Sequence, residues 1–381
     1  MDPKDFKNQN TGKTILTPNG FWVFIPNPLP PSFQWNTALV TINTEAEREL
    51  SRLSALIGNF PFPQLLIPSF IRSEAVISSR IEGTKASLAE LYAYEISQPS
   101  FFEKTDDVHE VHNYVEALRY GLERIKAFPV SLRLIRELHE KLMAGVRGGT
   151  LTPGEFRRSQ NWIGSYGSTP VTASYVPPPV DEMSIALGDL ERFIHSESEI
   201  PPLVRAALIH YQFEAIHPFL DGNGRVGRLL IALLLSEWGL MPNPMLNLSE
   251  YIERYRQQYY DLLLEVSQKG SWEDWIKFIL RGIRDQSRNG VHRLEGLQVI
   301  RSNYESIIAA NRNPKRMASI VDFLFSRPIL SVKQLAVELN IPVKTAGDYI
   351  DQLVLAGVLK EITGNSRNRI YQADDIFNAL K

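Results

Sequence analysis

A twelve-residue polar segment, HPFLDGNGRVGR at positions 217–228, separates two strongly apolar stretches of the chain. The residues before it, 201–216, are rich in Leu, Ile, Ala and Phe, and residues 226–240 are apolar on nearly every side. A helix that is apolar all round belongs at the centre of a domain. The segment is therefore predicted to be a loop between two core helices, and its last residues open the second helix.

The glycines and arginines of this segment suit an anionic ligand. A helix N-terminus carries unpaired backbone N–H groups and partial positive charge, and Gly222 and Gly224 have no Cβ, so an anion can approach the backbone closely. Arg225 and Arg228 are three residues apart and lie on neighbouring parts of one helix face. Amides, a helix dipole and two guanidiniums at one place predict a polyphosphate site.

Two further residues of the segment add a metal ligand and a base. Asp221 suits Mg²⁺, which typically takes one or two protein carboxylates and completes its shell with phosphate oxygens and water. His217 has the side chain whose ordinary pKa lets it accept a proton near neutral pH. The segment is therefore expected to combine a polyphosphate, a divalent metal and a proton acceptor.

Three other interpretations fit parts of the segment. The spacing Gly222-x-Gly224-x-x-Gly227 matches a dinucleotide-binding fingerprint, but that fingerprint follows a strand, and here a helix is predicted instead. The Asp-x-Asn spacing hints at a calcium loop, but Arg225 occupies a ligand position. A plain polar connection between helices would leave the two arginines and the histidine beside it unexplained.

The segment resembles the Fic family signature, His-Pro-Phe-x-Asp-Gly-Asn-Gly-Arg-x-x-Arg, at every fixed position. The resemblance implies a mainly α fold with a Fic-type helical bundle core, and a protein adenylyltransferase that transfers AMP from ATP to Ser, Thr or Tyr hydroxyls, its own included. His217 is then the base that deprotonates the hydroxyl, and Asp221 carries Mg²⁺. Positioning and charge neutralisation would do most of the catalytic work.

The same resemblance implies which residues hold ATP. Asn223 and the two glycine amides would hold the α-phosphate, the two arginines would hold the outer phosphates, and one tyrosine of the run at 251–260 would line the adenine pocket. The ATP-binding residues expected on this basis are Gly222, Asn223, Gly224, Arg225, Val226, Gly227, Arg228 and Tyr259.

A second motif, Ser78-x-x-x-Glu82-Gly83, lies nearer the N-terminus. Gly83 is a natural helix stop, which places Glu82 at the carboxyl end of a helix, where the dipole disfavours negative charge unless a cation is close. The motif is similar to the inhibitory helix found N-terminal to the core in class II Fic proteins. This resemblance implies that Glu82 pairs with Arg228 and keeps ATP from binding productively, and that Ser78 orients Glu82.

Residues 145–180 lack helical periodicity and contain Gly148-Gly149 and a Tyr-Val-Pro-Pro ending at 175–178. Gly, Ser and Thr between short apolar runs predict a β-hairpin. In Fic proteins a hairpin flap lies over the catalytic loop and receives the target as an added strand. A target protein is therefore expected to dock near residues 161–179, mainly through main-chain bonds that leave side-chain choice loose.

Four regions are predicted along the chain. Residues 1–104 form an extended arm and the inhibitory-helix region, with helices over 45–57 and 65–81. Residues 105–289 form the Fic catalytic core, 290–313 a linker helix, and 314–381 a small domain that resembles a winged helix-turn-helix. Such folds often place a helix in the DNA major groove, but the helix concerned carries Asp348 and Asp351, so protein contact or a structural role stays open beside DNA binding.

The composition of the chain excludes several classes of protein. A net charge of −2 over 381 residues gives no strong attraction to nucleic acid or membranes, and the absence of cysteine excludes disulfides and thiol catalysis. The N-terminus lacks an apolar signal core, and the longest apolar run, 229–235, is too short to cross a bilayer. A soluble, cytoplasmic protein is expected, and a homodimer is an open possibility. His109, His112 and His139 are expected to be solvated or core histidines.

Two competing functions remain open at this stage. The same site could remove AMP from modified proteins, because Glu82 could align a water. Alternatively, the chain could be a DNA-binding regulator whose Fic core senses a nucleotide.

Overall fold

The computed structural model describes residues 1–60, 63–96, 106–146, 151–309 and 313–380. Within these residues the chain is mainly helical with two small antiparallel sheets, which confirms the predicted fold class. The predicted boundary between residues 104 and 105 lies outside the described residues. None of the helices in the described ranges combines the length and the apolar character needed to cross a membrane.

The N-terminal region is more ordered than the extended arm predicted for it. After a 3-10 turn, strands β1 (Gly12–Leu16) and β2 (Trp22–Pro26) form an antiparallel hairpin. Helix α1 spans Thr37–Gly58, so it begins eight residues before the predicted start at 45. The side chain of Asn36 accepts a hydrogen bond from the N–H of Leu39, at 2.9 Å, and caps the helix there.

Nine helices follow in the described part of the chain between α1 and residue 270. They are α2 (Pro63–Ile81), α3 (Leu88–Ile96), α4 (Asp106–Arg124), α5 (Leu132–Leu142), α6 (Val180–His195), α7 (Pro202–Ile216), α8 (Asn223–Glu237), α9 (Leu248–Arg254) and α10 (Arg256–Lys269). Every residue from 206 to 216 is buried, and the leucines of α8 are buried as well. The polar segment is therefore a loop between two core helices, as predicted.

Helix α11 (Trp272–Ile308) is one continuous helix of 37 residues. The sequence predicted one helix ending near Arg288 and a second beginning at Gly290, and this was wrong because Gly290 does not interrupt the helix. The domain boundary placed between 289 and 290 stays a prediction. A Cβ at Gly290 would lie 3.0 Å from the Leu53 side chain of α1, so the glycine lets α1 pack closely against α11. The predicted linker helix 290–313 is thus the second half of α11, and its residues 310–312 lie outside the described residues.

The C-terminal segment contains α12 (Pro314–Ser326), β3 (Ile329–Ser331), α13 (Val332–Glu338), α14 (Val343–Leu355), β4 (Lys360–Glu361), β5 (Ile370–Gln372) and α15 (Asp374–Leu380). The three strands form an antiparallel sheet in the order β3-β5-β4. The predicted sequence of helices and hairpin is present, whereas β3 and α15 were not predicted. The winged helix-turn-helix function of this segment stays a prediction.

Helix α2 packs against two groups of helices. On one side it contacts α4 and α9, and on the other it contacts α12 of the C-terminal segment. The Ser69 hydroxyl donates to the carbonyls of Phe325 and Ser326, at 3.0 and 3.2 Å. The buried Arg72 guanidinium binds the Glu95 carboxylate of α3 at 2.9 and 2.7 Å. These contacts fix α2, and its C-terminal end lies beside α8.

The predicted β-hairpin flap is reduced to a single bridge. Ile163 and Tyr175 exchange two backbone hydrogen bonds, and no strand is assigned in the described residues on either side of them. Turns take up the chain between them, with the Trp162 indole N–H donating to the carbonyl of Ser168. Prolines at 177–179 have no N–H with which to continue a ladder. Residues 147–150, including the predicted Gly148-Gly149 turn, lie outside the described residues.

Candidate active site

The loop between α7 and α8 has a fixed backbone shape. His217 ends α7 with a left-handed backbone (φ 48°), and Gly222 begins α8 with φ 79°. Between them the Asn223 side chain accepts from the N–H of Phe219, at 2.9 Å, and donates to its carbonyl, at 2.8 Å. Asn223 was expected to hold a phosphate, but its amide is engaged in holding the loop.

Arg228 is buried, and its guanidinium binds the C-terminal end of α2. Its Nε donates to the Ser78 hydroxyl at 2.8 Å, and its Nη2 donates to the Ser78 carbonyl at 2.9 Å and to Glu82 Oε1 at 2.7 Å. The pairing of Glu82 with Arg228 predicted from the sequence is therefore present. Ser78 contacts the same guanidinium that binds Glu82, and the expectation that Ser78 orients Glu82 stays a prediction.

The Glu82 carboxylate lies over the first turn of α8. A side chain at Gly224 would collide with Glu82 Oε1, so only glycine lets the carboxylate come this close to the helix N-terminus. Burial opposes ionisation of Glu82, but the charge of Arg228 and its hydrogen bond outweigh burial and lower the pKa of this carboxyl below its usual value. A carboxylate thus occupies a position where a helix N-terminus and a guanidinium favour an anion.

Arg225 is held by a partner that sequence reasoning missed. Its Nη1 lies 3.0 Å from Glu110 Oε2, and both side chains are buried. The Asp221 carboxylate lies farther from it, with 3.8 Å between Oδ1 and Nη2. Glu110 is 115 residues away in the chain, so no local pattern could have assigned it. The guanidinium is consequently fixed beside the loop.

The His217 imidazole is oriented by the helix that precedes it. Its Nδ1 lies 3.2 Å from the Glu214 carbonyl, and because a carbonyl only accepts, Nδ1 must carry the hydrogen. Nε2 is then left with a free lone pair. Burial lowers the pKa of His217 to about 4, while a fifth of the side chain still reaches solvent. The ring is therefore neutral at pH 7 and able to accept a proton through Nε2.

This geometry gives a testable titration. We expect the His217 ring signals in an NMR titration to change with a midpoint near pH 4, well below the usual 6.5, because burial disfavours the imidazolium form. Since the pKa is lowered, the neutral form persists as the pH falls through 6 and 5. A peptide covering residues 214–220 serves as the unfolded control. A midpoint above pH 6 in the folded protein would contradict the assignment.

Glu214 is a buried carboxyl beside the imidazole that the sequence analysis did not select. Burial raises its pKa to about 8, so it is neutral at pH 7. Its Oε2 lies 4.0 Å from His217 Nδ1, and its Oε1 lies against the backbone of Gly227, with no hydrogen-bond partner in the described ranges. A neutral Glu214 adds no negative charge next to a bound phosphate.

Asp221 fits a magnesium ion that is shared with a phosphate ligand. Its side chain is 46% exposed, and its Oδ1 accepts from the N–H of Gly222 at 2.6 Å. The described part of the chain contains no cluster of three or more His, Cys, Asp or Glu side chains suited to a metal. A single accessible carboxylate matches Mg²⁺, which draws its remaining ligands from phosphates and water.

His139 holds the Asp221 end of the loop. It is buried, as expected for a core histidine, and its ring stacks on Phe219 with 3.8 Å between centroids. Its Nδ1 accepts from the N–H of Gly154 at 2.9 Å, so its Nε2 carries the hydrogen and donates to the Asp221 carbonyl at 3.1 Å. No local pattern indicates this contact, because it joins residues 82 positions apart.

Three residues expected to contact ATP have other surroundings. Tyr259 is buried and its hydroxyl lies 2.9 Å from His210 Nε2, so it belongs to a packed aromatic cluster and is not open to adenine. Val226 is fully buried and gives its N–H to the Gly222 carbonyl at 3.0 Å. Gly227 faces Glu214 and His210. The packing of α8 and α10 gives these three residues their surroundings here, and the expectation that they contact ATP stays a prediction.

Tyr260 is the neighbouring tyrosine that remains exposed. Burial of part of the ring and the nearby charge of Glu82 raise the pKa of Tyr260, which indicates that its phenol lies on the Glu82 side of α10. The sequence offered four tyrosines between 251 and 260 and no means of choosing among them, because their spacing alone does not say which face is covered.

Comparisons with known proteins agree with this site. A model of the Fic/DOC family N-terminal region matches residues 40–123, and a model of the Fic/DOC family matches residues 129–235. The protein adenylyltransferase Fic of Drosophila erecta is 29% identical over 203 residues, which is 52% of this chain and 37% of that protein. The chain thus spans less than two fifths of this curated relative.

Two solved structures share the fold. A Fic family protein from Desulfovibrio desulfuricans has a TM-score of 0.58 and 21% identity, over 91% of this chain and 98% of the other. Fic-1 from C. elegans has a TM-score of 0.52 and 21% identity, over 68% of this chain and 74% of the other. The fold, the complete signature at 217–228 and the two family matches lead to one conclusion: the chain belongs to the Fic/DOC family.

Proposed function

We propose that this protein transfers AMP from ATP to Ser, Thr or Tyr hydroxyls of proteins, itself included, and that Glu82 keeps the site inactive. One observation carries the proposal: the Glu82 carboxylate sits at the N-terminus of α8 between Gly224 and Arg228, beside a neutral His217. The name of the Drosophila relative, protein adenylyltransferase Fic, supports AMP transfer as the reaction.

The place that Glu82 occupies is suited to a phosphate. Backbone N–H groups and the dipole of α8 favour an anion there, and a guanidinium binds phosphate and carboxylate with similar geometry. A carboxylate that fills this position keeps a phosphate out of it. When Glu82 moves away, Arg228 and the Gly224 backbone become available to the outer phosphates of ATP.

The transfer step follows from the positions of the remaining groups. Nε2 of His217 takes the proton of the acceptor hydroxyl, and the hydroxyl oxygen forms a bond to the α-phosphorus. The bond between that phosphorus and the bridging oxygen of pyrophosphate breaks, and pyrophosphate leaves with the electron pair. Arg225 and Arg228 stabilise the charge on the leaving group. Mg²⁺ held by Asp221 would neutralise phosphate charge when bound.

The acceptor protein is expected on the segment 161–179. Its Tyr166 is fully exposed, and so is most of Val171. Among the described residues, the β-bridge of this segment joins Ile163 to Tyr175, and turn hydrogen bonds engage other main-chain groups between them, as at Ser168 and Ala173. A strand supplied by a partner would therefore be added along the main chain beside this bridge. Recognition through the main chain would allow several target sequences.

The test uses ATP labelled at the α-phosphorus or at the γ-phosphorus. The Glu82→Gly protein is incubated with each in the presence of Mg²⁺, and covalent label on protein is measured after denaturation. We expect label from α-labelled ATP only, and its loss in the Glu82→Gly, His217→Ala double variant. Label from γ-labelled ATP would indicate a kinase, and no label from either would remove the proposal.

Removal of AMP is a second candidate, favoured by the state of Glu82. The carboxylate is ionised, a third of its side chain is exposed, and it lies close enough to His217 for their charges to interact. A water between them could be directed at an AMP-protein bond. Loss of label from a preloaded protein by the wild type, but not by Glu82→Gln, would support this activity. Exposed Asp348 and Asp351 on α14 oppose phosphate binding, so DNA binding is not proposed.

A further inference from the structure

A completely buried guanidinium lies behind the His217 loop. Arg157 is 1% exposed. Its Nε donates to the His217 carbonyl at 3.0 Å, and its Nη groups donate to three more carbonyls, those of Ser159, Pro178 and Ile216, at 3.3, 2.5 and 3.5 Å. Every one of these acceptors is a main-chain carbonyl, and no carboxylate of the described residues is paired with the guanidinium.

A buried cation without a carboxylate is costly unless its donors are satisfied. Burial lowers the pKa of Arg157 to about 10, so it still carries its charge at pH 7. A Lys at this position has no planar fork and could not reach four carbonyls that lie in different directions. The arrangement is therefore specific for arginine, which points to a role in geometry beyond the filling of space.

Two of the four carbonyls that the Arg157 guanidinium binds belong to the backbone that carries the imidazole. It contacts the carbonyls of Ile216 and His217, and its own N–H donates to the Pro218 carbonyl at 2.8 Å. The Asn161 amide donates to the His217 carbonyl as well, at 3.1 Å. A non-glycine residue with positive φ, such as His217, keeps that conformation only when its surroundings fix it. Arg157 and Asn161 supply that constraint.

Asn161 begins the segment on which a target protein is expected to dock, and Arg157 lies four residues before it. The Arg157 guanidinium binds the Pro178 carbonyl near the far end of that segment. A main-chain displacement at Pro178 would thus reach the His217 carbonyl through this planar guanidinium. Arg157 thus connects the exposed docking segment to the backbone of the base, His217.

We propose that Arg157 is a positioning residue that sets the orientation of the His217 imidazole and couples it to the docking segment 161–179. The inference rests on the proposed AMP transfer for its kinetic consequence, but the orientation itself does not depend on it. Because Arg157 is 1% exposed, we place it behind the site, where it acts through the backbone of His217.

The kinetic test compares two adjacent arginines. In the Glu82→Gly background, Arg157→Gln is expected to lower kcat for AMP transfer by about tenfold to 100-fold, since small misplacements of a catalytic group cost this much, with the KM for ATP nearly unchanged. Arg158→Gln is the matched control, because Arg158 is exposed and pairs only with Glu155 at 2.9 Å. Equal kcat values for the two variants would overturn the proposal.

A second readout does not need any transfer. With ¹⁵N-labelled histidine, the parent protein should show His217 with hydrogen on Nδ1, since Nδ1 faces the Glu214 carbonyl. In Arg157→Gln we expect this form to be lost in favour of a mixture with hydrogen on Nε2. If no protein transfers AMP but this change occurs, the proposed function fails and the positioning role stands. If the ring is unchanged in Arg157→Gln, the positioning role fails.

A variant of Asn161 provides the test if Arg157→Gln does not fold. Should Arg157→Gln not fold, as judged by circular dichroism, Asn161→Ala is measured in its place, because Asn161 binds the same His217 carbonyl and is only partly buried. A smaller loss of kcat and a partial change of the ring signals would support the proposal. Parental values of both in Asn161→Ala would overturn it.

Discussion

Glu82→Gly is expected to increase the rate of AMP transfer by about 100-fold over the wild-type protein, a size in keeping with coupling energies of about 1.5–7 kcal/mol for close buried charge pairs. The carboxylate and Arg228 approach to 2.7 Å, and the guanidinium is almost fully buried. A phosphate must displace this pair before it can bind at the N-terminus of α8. Removing the carboxylate removes that competition, so the gain should appear in both the KM for ATP and kcat.

The measurement is the initial rate of label transfer at several ATP concentrations. Glu82→Gln, which keeps the shape and removes the charge, should show a smaller gain in the same direction. Glu253→Gln is the matched control, because Glu253 also pairs with an arginine near the end of α2, at 3.3 Å from Arg80, but that arginine is 46% exposed whereas Arg228 is buried. Equal rates for wild type and Glu82→Gly would show that the pair does not restrain the enzyme.

Glu82→Gly should also lower the free energy of unfolding. It leaves Arg228 buried without its carboxylate, and an uncompensated buried charge is destabilising. ATP would supply new negative charge, so the melting temperature of Glu82→Gly should rise with ATP more than that of the wild type. This comparison reports binding alone and remains informative if no acceptor protein is available.

Arg72→Met is expected to lower the free energy of unfolding by about 3 kcal/mol, at the lower end of what breaking a buried ion pair costs. Arg72 and Glu95 have side chains only 1% and 7% exposed, and they meet through two hydrogen bonds. The loss would be softened because Arg327 lies 3.5 Å from the same carboxylate. The remaining Glu95 charge would nevertheless be buried with a single, more distant partner.

Urea unfolding followed by circular dichroism gives the comparison directly. Arg52→Met provides the control, since Arg52 pairs with Glu295 at 3.4 Å on the surface, where such pairs contribute about 0–1 kcal/mol. The double variant Arg72→Met, Glu95→Leu should recover most of the loss, because no charge is then left buried. A similar loss for Arg52→Met and Arg72→Met would mean that burial does not decide the strength of these pairs.

The parts of the site that the sequence predicted are those written in consecutive residues. The apolar stretches on either side of 217–228 predicted two buried helices because burial imposes apolarity on every face. The resemblance of 217–228 to the Fic signature implied the roles of base, acid, glycines and arginines, and the resemblance of the 78–83 motif to the inhibitory helix implied the pair with Arg228. Both motifs were recognisable because each is written within a single element or loop.

The parts that could not be predicted depend on contacts between distant residues. Glu110, His139 and Arg157 reach the loop from other elements, and nothing in their local sequence distinguishes them from ordinary polar residues. The break expected at Gly290 was wrong because local helix propensity favours an end there, whereas packing against Leu53 favours continuity. Tyr259 was selected because the resemblance implies a tyrosine in the adenine pocket, but the aromatic cluster around it decided its burial.

Helix α2 is held by hydrogen bonds at two places along its length. Ser69 is fastened to α12 and Ser78 is fastened to Arg228, and a helix rises about 1.5 Å per residue, so the two contacts are about 14 Å apart. Because the helix between these two contacts is rigid, a shift of α2 at Ser69 would also displace its end at Ser78. The position of Glu82 at the N-terminus of α8 therefore depends on the contacts between α12 (Pro314–Ser326) and α2 as well as on the ion pair with Arg228.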